Sequence, residues 1–435
     1  MATLSIVGLV LSLALIVILA LKGFHIIFIA PLATVVVALF SNMDVMQTLT
    51  GPYMKGFINY AGKFYLLFLA ASIFGKFMED SGAARSIALG IIKLIGRESQ
   101  YRVMLAVAAI SFVLTLGGVN LFVVIFAVLP IARPLFKEMD IPWHLFIAPF
   151  IFGAASLTMT MIPGSPSILN IMPTKYLGTT PTAAPLMGII GALILASINF
   201  WYMNYALKKA LKNGEVYSTT GETGAKTAET DLTSKLPNVW LSILPPVVLI
   251  ILLNVMKLDV VWSLLTGSGL CIVLFWKQFA NILDTLNKGA LNTVVPIINT
   301  CADVGYGMAV AATAGFKVIS GALLTLPGSP IISLALATNL MAAITGSASG
   351  GLGIILETLT AKYVALGLNP ELIHRVVAMS AGCFDALPHN GVVITTLAVA
   401  GLTHATGYKH IWWGHVVGTL VTLIIAIPIG ILIYG

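Results

Sequence analysis

The sequence has few charged residues. Asp, Glu, Lys and Arg together make up 9% of its 435 residues, whereas hydrophobic residues make up 58%. Soluble domains carry roughly 25% charged residues, so this chain has too few polar side chains to cover a soluble surface. Its mean hydropathy is +1.00. The shortage of charge excludes an ordinary soluble domain and predicts an all-α polytopic protein that spans the lipid bilayer.

The sequence also lacks the residue groups that catalysis and metal binding require. Cysteine occurs three times, in apolar segments without metal-ligand spacing, so we interpret these thiols as buried and inert. Gly164-Ser165-Pro166-Ser167 lacks the strand that precedes a nucleophile elbow. We interpret three histidines around Trp412-Trp413 as membrane-interface anchors, namely His404, His410 and His415. We expect no enzymatic activity, no metal and no cofactor.

The basic residues do not form one stripe. The net charge is +7, but Lys and Arg lie in short loops between apolar runs, which argues against a nucleic-acid partner. We predict ten apolar spans, because a crossing of the hydrocarbon core needs about 20 apolar residues. They lie at 3–21, 24–41, 63–78, 144–172, 183–207, 238–256, 258–276, 291–313, 372–403 and 411–434.

Two further apolar stretches, 101–136 and 329–367, are too long for one helix. Small residues interrupt them at Gly117-Gly118-Val119-Asn120 and at Gly346-Ser347-Ala348-Ser349-Gly350-Gly351. Each arm has about 16 residues, which is short for a full crossing at a rise of about 1.5 Å per residue. We therefore predict two re-entrant hairpins, each entering and leaving the membrane on the same side.

The spans 144–172 and 372–403 are also interrupted. Pro163 lies next to glycine in the first, and Pro388 lies among polar residues in the second. Proline lacks a backbone N–H and clashes with the preceding turn, and an adjacent glycine lets the chain unwind. We predict that each span is a pair of half-helices joined by an unwound loop.

A polar linker, 208–237, divides the chain into the halves 1–207 and 238–435. The unusual elements follow the same order in both halves, and Lys55-Gly56 corresponds to Lys288-Gly289. Each half crosses the membrane five times besides its hairpin, so the second half is inverted relative to the first. Inverted repeats with discontinuous helices at matching positions indicate a binding site near the midplane.

The distribution of Lys and Arg predicts the orientation. Cytoplasmic loops carry an excess of both, and most of them fall on the face of the linker. We therefore expect a cytoplasmic linker, both termini outside and a location in the inner (plasma) membrane. The opposite face receives Lys55, Lys63, Lys175, Lys257, Lys317, Lys362 and Arg375.

The two hairpin tips and two breaks should enclose one binding site, since unwound backbone in a membrane needs protein or a water-filled cavity around it. Half-helix N-termini offer free N–H groups and partial positive charge, which suit a carboxylate. The alternative is that these small residues only let helices pack closely. The candidate substrate-binding residues are Gly117, Gly118, Asn120, Gly164, Ser165, Ser167, Gly346, Ser347, Ser349, Gly350, His389 and Asn390.

Charged residues within apolar spans are costly and often functional. Four of them are candidates for carrying a proton, because histidine titrates near neutral pH and burial favours a protonated carboxyl group. Glu357 could instead reach the membrane interface, and Asp385 could cap a helix. The stronger candidates are therefore His389 and Asp303.

The order of elements resembles the ion-transporter superfamily, which includes dicarboxylate and citrate carriers. Within it, residues 381–391, Ala-Gly-Cys-Phe-Asp-Ala-Leu-Pro-His-Asn-Gly, resemble the GntP family of gluconate and hydroxybutyrate permeases. The Gly-Ser-Ala-Ser-Gly tip at 346–350 supports the resemblance, which covers nearly the whole chain except the linker. It implies import of a small hydroxy-acid by proton symport, in a homodimer that moves its hairpins and broken spans past a fixed scaffold in an elevator mechanism.

The coupling ion and the substrate have alternatives. Sodium-coupled relatives carry Ser-Asn-Thr at both tips and this chain does not, which favours H⁺, although backbone carbonyls alone could bind Na⁺. We favour D-3-hydroxybutyrate, a monocarboxylate, because no Arg or Lys is evident at the site to neutralise a second carboxylate. Symport of gluconate or another sugar acid, a Na⁺-coupled organic-anion carrier and an anion channel are the alternatives. Inverted repeats around an enclosed site suit alternating access better than a continuous pore.

Overall fold

The structure is a computed structural model that describes residues 2–22, 24–96, 98–119, 121–217, 236–324, 329–388 and 390–435. Every regular element within these ranges is helical. The predicted site residues Asn120 and His389, and most of the predicted linker, lie outside them.

Eleven α-helices precede the linker in the described part of the chain. They are α1 (Ala2–Leu21), α2 (Ile26–Phe40), α3 (Val45–Thr48), α4 (Met54–Asp80), α5 (Ala83–Ile95), α6 (Gln100–Leu116), α7 (Leu121–Glu138), α8 (Ile147–Ile151), α9 (Ile168–Ile171), α10 (Thr174–Leu177) and α11 (Pro185–Lys212). A 3₁₀ turn at Trp143–Phe146 leads into α8, and π-helical segments at Leu49–Tyr53 and Phe152–Met161 lead into α4 and extend α8.

The part of the chain after the linker continues in the same way. Its helices are α12 (Val239–Asn254), α13 (Val260–Phe275), α14 (Ile282–Leu291), α15 (Val294–Ala311), α16 (Ala314–Leu324), α17 (Pro330–Thr345), α18 (Ala348–Thr358), α19 (Thr360–Ala365), α20 (Pro370–Ala381), α21 (Gly391–Ala400), α22 (His404–Ile411) and α23 (Gly418–Tyr434). A 3₁₀ turn at Phe384–Ala386 follows α20, and a π-helical segment at Trp412–Val417 joins α22 to α23.

Several helices are long and apolar enough to cross a membrane. Judged by length and composition, six stretches of the described residues qualify: Ala2–Leu19, Val45–Asp80, Trp143–Met161, Pro185–Lys212, Ile282–Ala311 and His404–Tyr434. Shorter apolar helices, including α2, α12 and α13, pack among them. The chain is an all-helical, multi-span membrane protein, as its composition predicts.

The two predicted hairpins appear as helix pairs, α6 with α7 and α17 with α18, whose members pack on each other. Gly118 lies between the first pair with φ 87°, and Gly346 lies between the second with φ 59°. Glycine adopts this left-handed region without the steric penalty of a Cβ atom, which allows the sharp reversal. Gly351 lets the second pair approach closely, because a Cβ there would lie 2.4 Å from the backbone nitrogen of Ala342.

The two interrupted spans differ from each other. In the second, α20 and α21 lie on either side of the break, which agrees with a pair of half-helices. In the first, the π-helical segment ends at Met161, and only the single turns α9 and α10 follow the break. The prediction of two half-helices at this site was wrong, because Pro173 follows α9 closely and Gly178 ends α10 in a left-handed conformation with φ 65°.

Arg375 lies inside α20 and is fully buried. Its Nη2 donates to the carbonyl oxygen of Ala183 at 2.7 Å, and its Nη1 donates to Asn170 Oδ1 at 3.1 Å. Arg375 therefore does not add to the surface charge of either face, contrary to its use in predicting the orientation.

Two groups of helices surround the centre of the protein. In the first group α4 packs on α13, α14 and α15, while α2 packs on α1 and α15. In the second group α6 packs on the π-helical segment Phe152–Met161, α17 packs on α20, and α11 packs on α23. The second group contains members of both helix pairs and of both broken spans, and it lies opposite the first group.

Close packing of α17 on α18 provides a test of the fold. Replacing Gly351 with alanine should lower the apparent unfolding free energy by about 1–3 kcal/mol, because the added methyl group forces the two backbones apart. The measurement is thermal unfolding of the purified protein in detergent. Gly269→Ala on α13 is the matched control, since its Cβ would meet nothing within 4 Å. An equal loss in both variants would contradict close packing of this helix pair.

Candidate functional site

A cavity of about 840 Å³ lies between the two groups of helices. One wall comes from α1, α2, α4 and α15, and the opposite wall comes from the meeting ends of α6 with α7 and of α17 with α18, the start of α21 and the first break. The polar side chains in its wall are His25, Ser72, Lys76, Glu79, Thr115, Thr158, Ser167, Asn292, Asn299, Thr300, Asp303, Thr345, Ser347, Ser349, Asn390 and Thr395. Both helix pairs and both breaks therefore contribute to one cavity.

The first helix pair and the first break are joined at the cavity wall. Gly118 lines the cavity, and near it the hydroxyl oxygens of Thr115 and Thr158 lie 2.9 Å apart. The Ser167 hydroxyl donates to the carbonyl oxygen of Met159 at 3.0 Å, across the break. Ser167 therefore faces the cavity and also holds the unwound segment to the helix before it.

The second pair and the second break are joined by Asn390. Its Nδ2 donates to the carbonyl oxygen of Gly346 at 2.7 Å, and its Oδ1 accepts from the backbone N–H of Val393 at 2.9 Å. Ser347 caps α18, because its Oγ accepts from the backbone N–H of Gly350 at 3.1 Å. The ends of α17, α18 and α21 thus hold one another in place at the cavity.

Asp303 is a buried carboxyl group of α15, in the wall that faces the helix pairs, with 5% of its surface exposed. It packs against Gly350, where a Cβ atom would lie 3.0 Å from Asp303 Oδ2, and it interacts with the Ser347 side chain. One turn earlier on α15, Thr300 Oγ1 lies 3.4 Å from Ser349 Oγ. The second helix pair therefore brings two hydroxyl groups to the neighbourhood of one carboxyl group.

The positive potential at the tips comes from helix ends. Helices α7, α18 and α21 all begin at the cavity, and the N-terminus of a helix carries partial positive charge and unpaired N–H groups. Within the described residues, Lys76 is the one Lys or Arg of the cavity wall, and it forms ion pairs with Glu79 at 3.1 Å and Asp80 at 2.9 Å. This arrangement can hold a small anion with one carboxylate.

Four of the predicted substrate-binding residues that the structure describes lie outside the cavity wall. Gly350 packs against Asp303, and the other three lie on the packed side of the first pair and the first break. Gly117 packs against Pro246, where its Cβ would lie 2.7 Å from the proline Cβ. The carbonyl oxygen of Gly164 accepts from Asn254 Nδ2 at 2.8 Å. Ser165 is fully buried. These residues shape the break, and only a change of conformation would bring them to a ligand.

Two of the selected carboxyl groups also lie elsewhere. Glu357 forms an ion pair with Lys63 at 2.6 Å and accepts from the Tyr176 hydroxyl at 2.5 Å. Asp385 Oδ1 lies 3.2 Å from His415 Nε2, in the second break. Of the four charged candidates, Asp303 is the one among the described residues that lines the cavity.

The three histidines near the C-terminus have partners inside the protein. His404 Nε2 is 2.8 Å from the carbonyl oxygen of Pro388, and His410 Nε2 is 2.8 Å from His144 Nδ1. His415 is only 3% exposed. The interpretation as interface anchors was wrong for His410 and His415, because both rings are buried inside the fold. His404 is partly exposed, and its role as an anchor stays a prediction.

Sequence reasoning missed several polar residues of the cavity wall. Thr115, Thr158, Asn299 and Thr300 lie within helices and belong to residue types that occur throughout the chain. Helical periodicity could have placed Asn299 and Thr300 on the same face as Asp303, but it could not show which face meets the cavity. In the described ranges, no group of three His, Cys, Asp or Glu side chains is placed to hold a metal ion.

Comparison with known proteins gives consistent matches. Residues 4–269 match the GntP family of permeases. The uncharacterized transporter YxjC of Bacillus subtilis is 33% identical over 445 aligned residues, covering 92% of this chain and 94% of that protein. An uncharacterized transporter of Haemophilus influenzae is 24% identical over 375 residues, covering 83% of this chain and 84% of that protein.

A solved structure has a similar fold. The crystal structure of the YdaH transporter from Alcanivorax borkumensis, which has an unusual topology, superposes with a TM-score of 0.57. The match covers 90% of this chain and 89% of that chain, with 15% sequence identity. At this level of identity the similarity concerns the fold alone.

The two hydrogen bonds of Asn390 give a prediction. Asn390→Ala should lower the apparent unfolding free energy by about 1–3 kcal/mol, because the buried carbonyl group of Gly346 loses its donor and α21 loses its cap. Thermal unfolding in detergent measures the loss. Asn292→Ala is the control, since this residue is an exposed part of the same cavity wall. Equal stability of both variants would mean that Asn390 does not hold the break.

Proposed function

Since the chain belongs to the GntP family of permeases and is therefore a secondary transporter rather than an enzyme, we propose that it imports a small hydroxy-monocarboxylate together with a proton. The observation that carries this proposal is the cavity between helix N-termini, in which Asp303 faces the space where an anion would bind. Our preferred substrate is D-3-hydroxybutyrate.

The polar groups of the cavity support a substrate with one carboxylate. The N-termini of α18 and α21 and the hydroxyl groups of Ser347 and Ser349 can donate to carboxylate oxygens. Lys76 is already paired with Glu79 and Asp80, so it is not free to neutralise a second carboxylate. Gluconate carries more hydroxyl groups and is the alternative substrate of the same kind.

Asp303 supports coupling to protons. An anionic substrate and an ionised Asp303 in one cavity repel each other, so the substrate binds more tightly when Asp303 is protonated. Linkage then requires that the substrate increases the affinity of Asp303 for a proton. A proton and the anion would therefore enter together, which is the definition of symport.

The other proton candidates have different surroundings. Glu357 is paired with Lys63, and Asp385 contacts His415, so neither shares the cavity with the substrate. His389 is adjacent to Asn390 but lies outside the described residues. We therefore assign one coupled proton to Asp303.

We also propose the inverted repeat and the elevator mechanism. The packing of the corresponding glycines Gly56 and Gly289 supports the repeat. Gly56 of α4 lies against Val304 of α15, in the second half of the chain, and Gly289 of α14 lies against Ile73 of α4, in the first half. In this proposal the helix pairs and broken spans move together against α1, α2, α12 and α13, which form the scaffold and the contacts of a homodimer. The linker 208–237 would be cytoplasmic and both termini would lie outside.

Counterflow in proteoliposomes tests the transport function directly. Labelled D-3-hydroxybutyrate, gluconate, butyrate and a dicarboxylate are exchanged against each unlabelled acid, with and without a pH or sodium gradient. The proposal expects exchange of D-3-hydroxybutyrate and accumulation driven by a pH gradient. Preference for gluconate, dependence on sodium or flux without exchange would instead favour, respectively, a sugar-acid symporter, a sodium-coupled carrier or a channel.

Replacing Asp303 tests the coupling. Asp303→Asn should lower the number of protons moved per substrate by about one while counterflow continues, because asparagine keeps the size of the side chain but cannot titrate. A pH-sensitive dye inside the liposomes measures proton movement alongside labelled substrate. Glu357→Gln is the control and should leave the ratio unchanged. An unaltered ratio in Asp303→Asn would remove this residue from the coupling step.

Replacing the two serines tests substrate binding. The double change Ser347→Ala with Ser349→Ala should raise KM at least about tenfold, since hydrogen bonds to a charged group contribute about 1.5–3 kcal/mol each. Initial rates of uptake over a range of D-3-hydroxybutyrate concentrations give KM. Ser197→Ala on the exposed face of α11 provides the control. A KM within twofold of the unaltered protein would mean that neither hydroxyl contacts the substrate.

A further inference from the structure

A hydrogen-bonded triad lies in the second group of helices, away from the cavity wall. Ser156 Oγ is 2.6 Å from His415 Nδ1, and His415 Nε2 is 3.2 Å from Asp385 Oδ1. Ser156 is fully buried and His415 is 3% exposed, whereas the Asp385 side chain is 17% exposed. The His415 imidazole is therefore enclosed, whereas the Asp385 carboxyl group is partly exposed at the second break.

The triad is fully hydrogen-bonded in two protonation states. An ionised Asp385 only accepts, so His415 Nε2 carries a hydrogen and donates it, and neutral Nδ1 then accepts from the Ser156 hydroxyl. If a proton adds to Nδ1, this nitrogen donates to Ser156 Oγ instead. The serine hydroxyl can then turn to the carbonyl oxygen of Ile151 at 3.3 Å. One proton enters and no hydrogen bond is lost.

The charge of a protonated His415 also has a partner. With Asp385 ionised, the pair is neutral overall, which avoids an isolated buried charge. Tyr408 and Cys383 are the titratable groups that face Asp385. Among the other elements packed on the His415 segment, α22 carries Lys409 and His410. Asn199 of α11 donates to the Gly414 carbonyl, and α8 presents the carbonyl oxygen of Ile151.

The local backbone suits a functional role rather than simple packing. Ser156 and His415 both lie in π-helical segments, which are rare and are frequently found at functional sites. The same region holds the second break, because the Tyr408 hydroxyl donates to the carbonyl oxygen of Ala386 at 3.1 Å. A change in the charge of the triad would therefore act on the loop that leads to Asn390 and the cavity.

We infer that His415, held between Ser156 and Asp385, is a second proton-carrying site of the transport cycle, separate from Asp303. This inference rests on the proposed proton symport and extends it. One proton on Asp303 balances the charge of a monocarboxylate and would make transport electroneutral. A second proton on His415 makes each cycle move one net positive charge inward.

Electrogenic transport gives a sharp test in proteoliposomes. A potassium gradient with valinomycin imposes an inside-negative potential at equal pH on both sides, with labelled D-3-hydroxybutyrate or gluconate as the probe. The unaltered protein should accumulate substrate under this potential. His415→Gln should lose the response to the potential, and it should keep counterflow and accumulation driven by a pH gradient, because glutamine preserves hydrogen bonding but cannot titrate.

His410→Gln is the matched control. His410 is also 3% exposed and lies on the preceding turns of the same helical segment, where it hydrogen-bonds Tyr202 at 2.9 Å and His144 at 2.8 Å. Its response to the potential should match that of the unaltered protein. A purely structural role for His415 would reduce counterflow as well as the response to potential, and it would not separate the two.

The remaining outcomes overturn the inference. Electroneutral transport by the unaltered protein, or a normal response to potential in His415→Gln, would do so and leave the proposed symport intact. Absence of counterflow in the unaltered protein would overturn the symport and this inference together. If His415→Gln does not assemble, Asp385→Asn replaces it and should lose the same response.

Discussion

Backbone groups that leave a helix inside a membrane must find partners within the protein, and the centre of this structure depends on that constraint. Three asparagine side chains donate to carbonyl groups of the unwound segments. Asn390 donates to the Gly346 carbonyl, Asn254 donates to the Gly164 carbonyl, and Asn170 donates to the Ser165 carbonyl at 2.9 Å. Each amide joins an unwound segment to another part of the fold, so the breaks are held open by specific bonds rather than by weak packing.

This constraint also limits what the cavity can bind. The amide of Asn390 is occupied by the fold, and the cations near the site are either paired, as Lys76 is, or buried behind the break, as Arg375 is. What remains for a ligand in the described wall are helix N-termini, serine and threonine hydroxyls, and the side chains of His25, Asn292 and Asn299. Such groups favour one small carboxylate with few other polar groups, since a second carboxylate would enter the cavity without a partner.

The sequence predicts where the helices break more accurately than which side chains face the cavity. The breaks are clear at Gly118 and Gly346, whose positive φ suits few other residues, and at Pro388, which has no backbone N–H to donate. The direction in which a side chain points depends on its contacts with helices that are distant in the sequence. Gly164 and Ser165 lie in the predicted break yet turn towards packed neighbours, and the length of the arm after Pro163 was overestimated because single turns can replace a half-helix.

His415 is a second residue whose contacts could not be predicted from the sequence. Its position beside Trp412-Trp413 resembles an interface anchor, and its hydrogen-bond partner Ser156 is 259 residues away in the sequence. Two protonatable groups then occupy different places in the proposed cycle. Asp303 shares the cavity with the anion, so its proton affinity responds to the substrate itself. His415 is hydrogen-bonded to Asp385 in the second break, so in the proposed cycle its proton is linked to the movement of that loop. A transporter that uses both groups would couple the Asp303 proton to binding of the substrate and the His415 proton to movement of the second break. For this reason, a substitution of His415 should abolish net charge movement while substrate exchange continues.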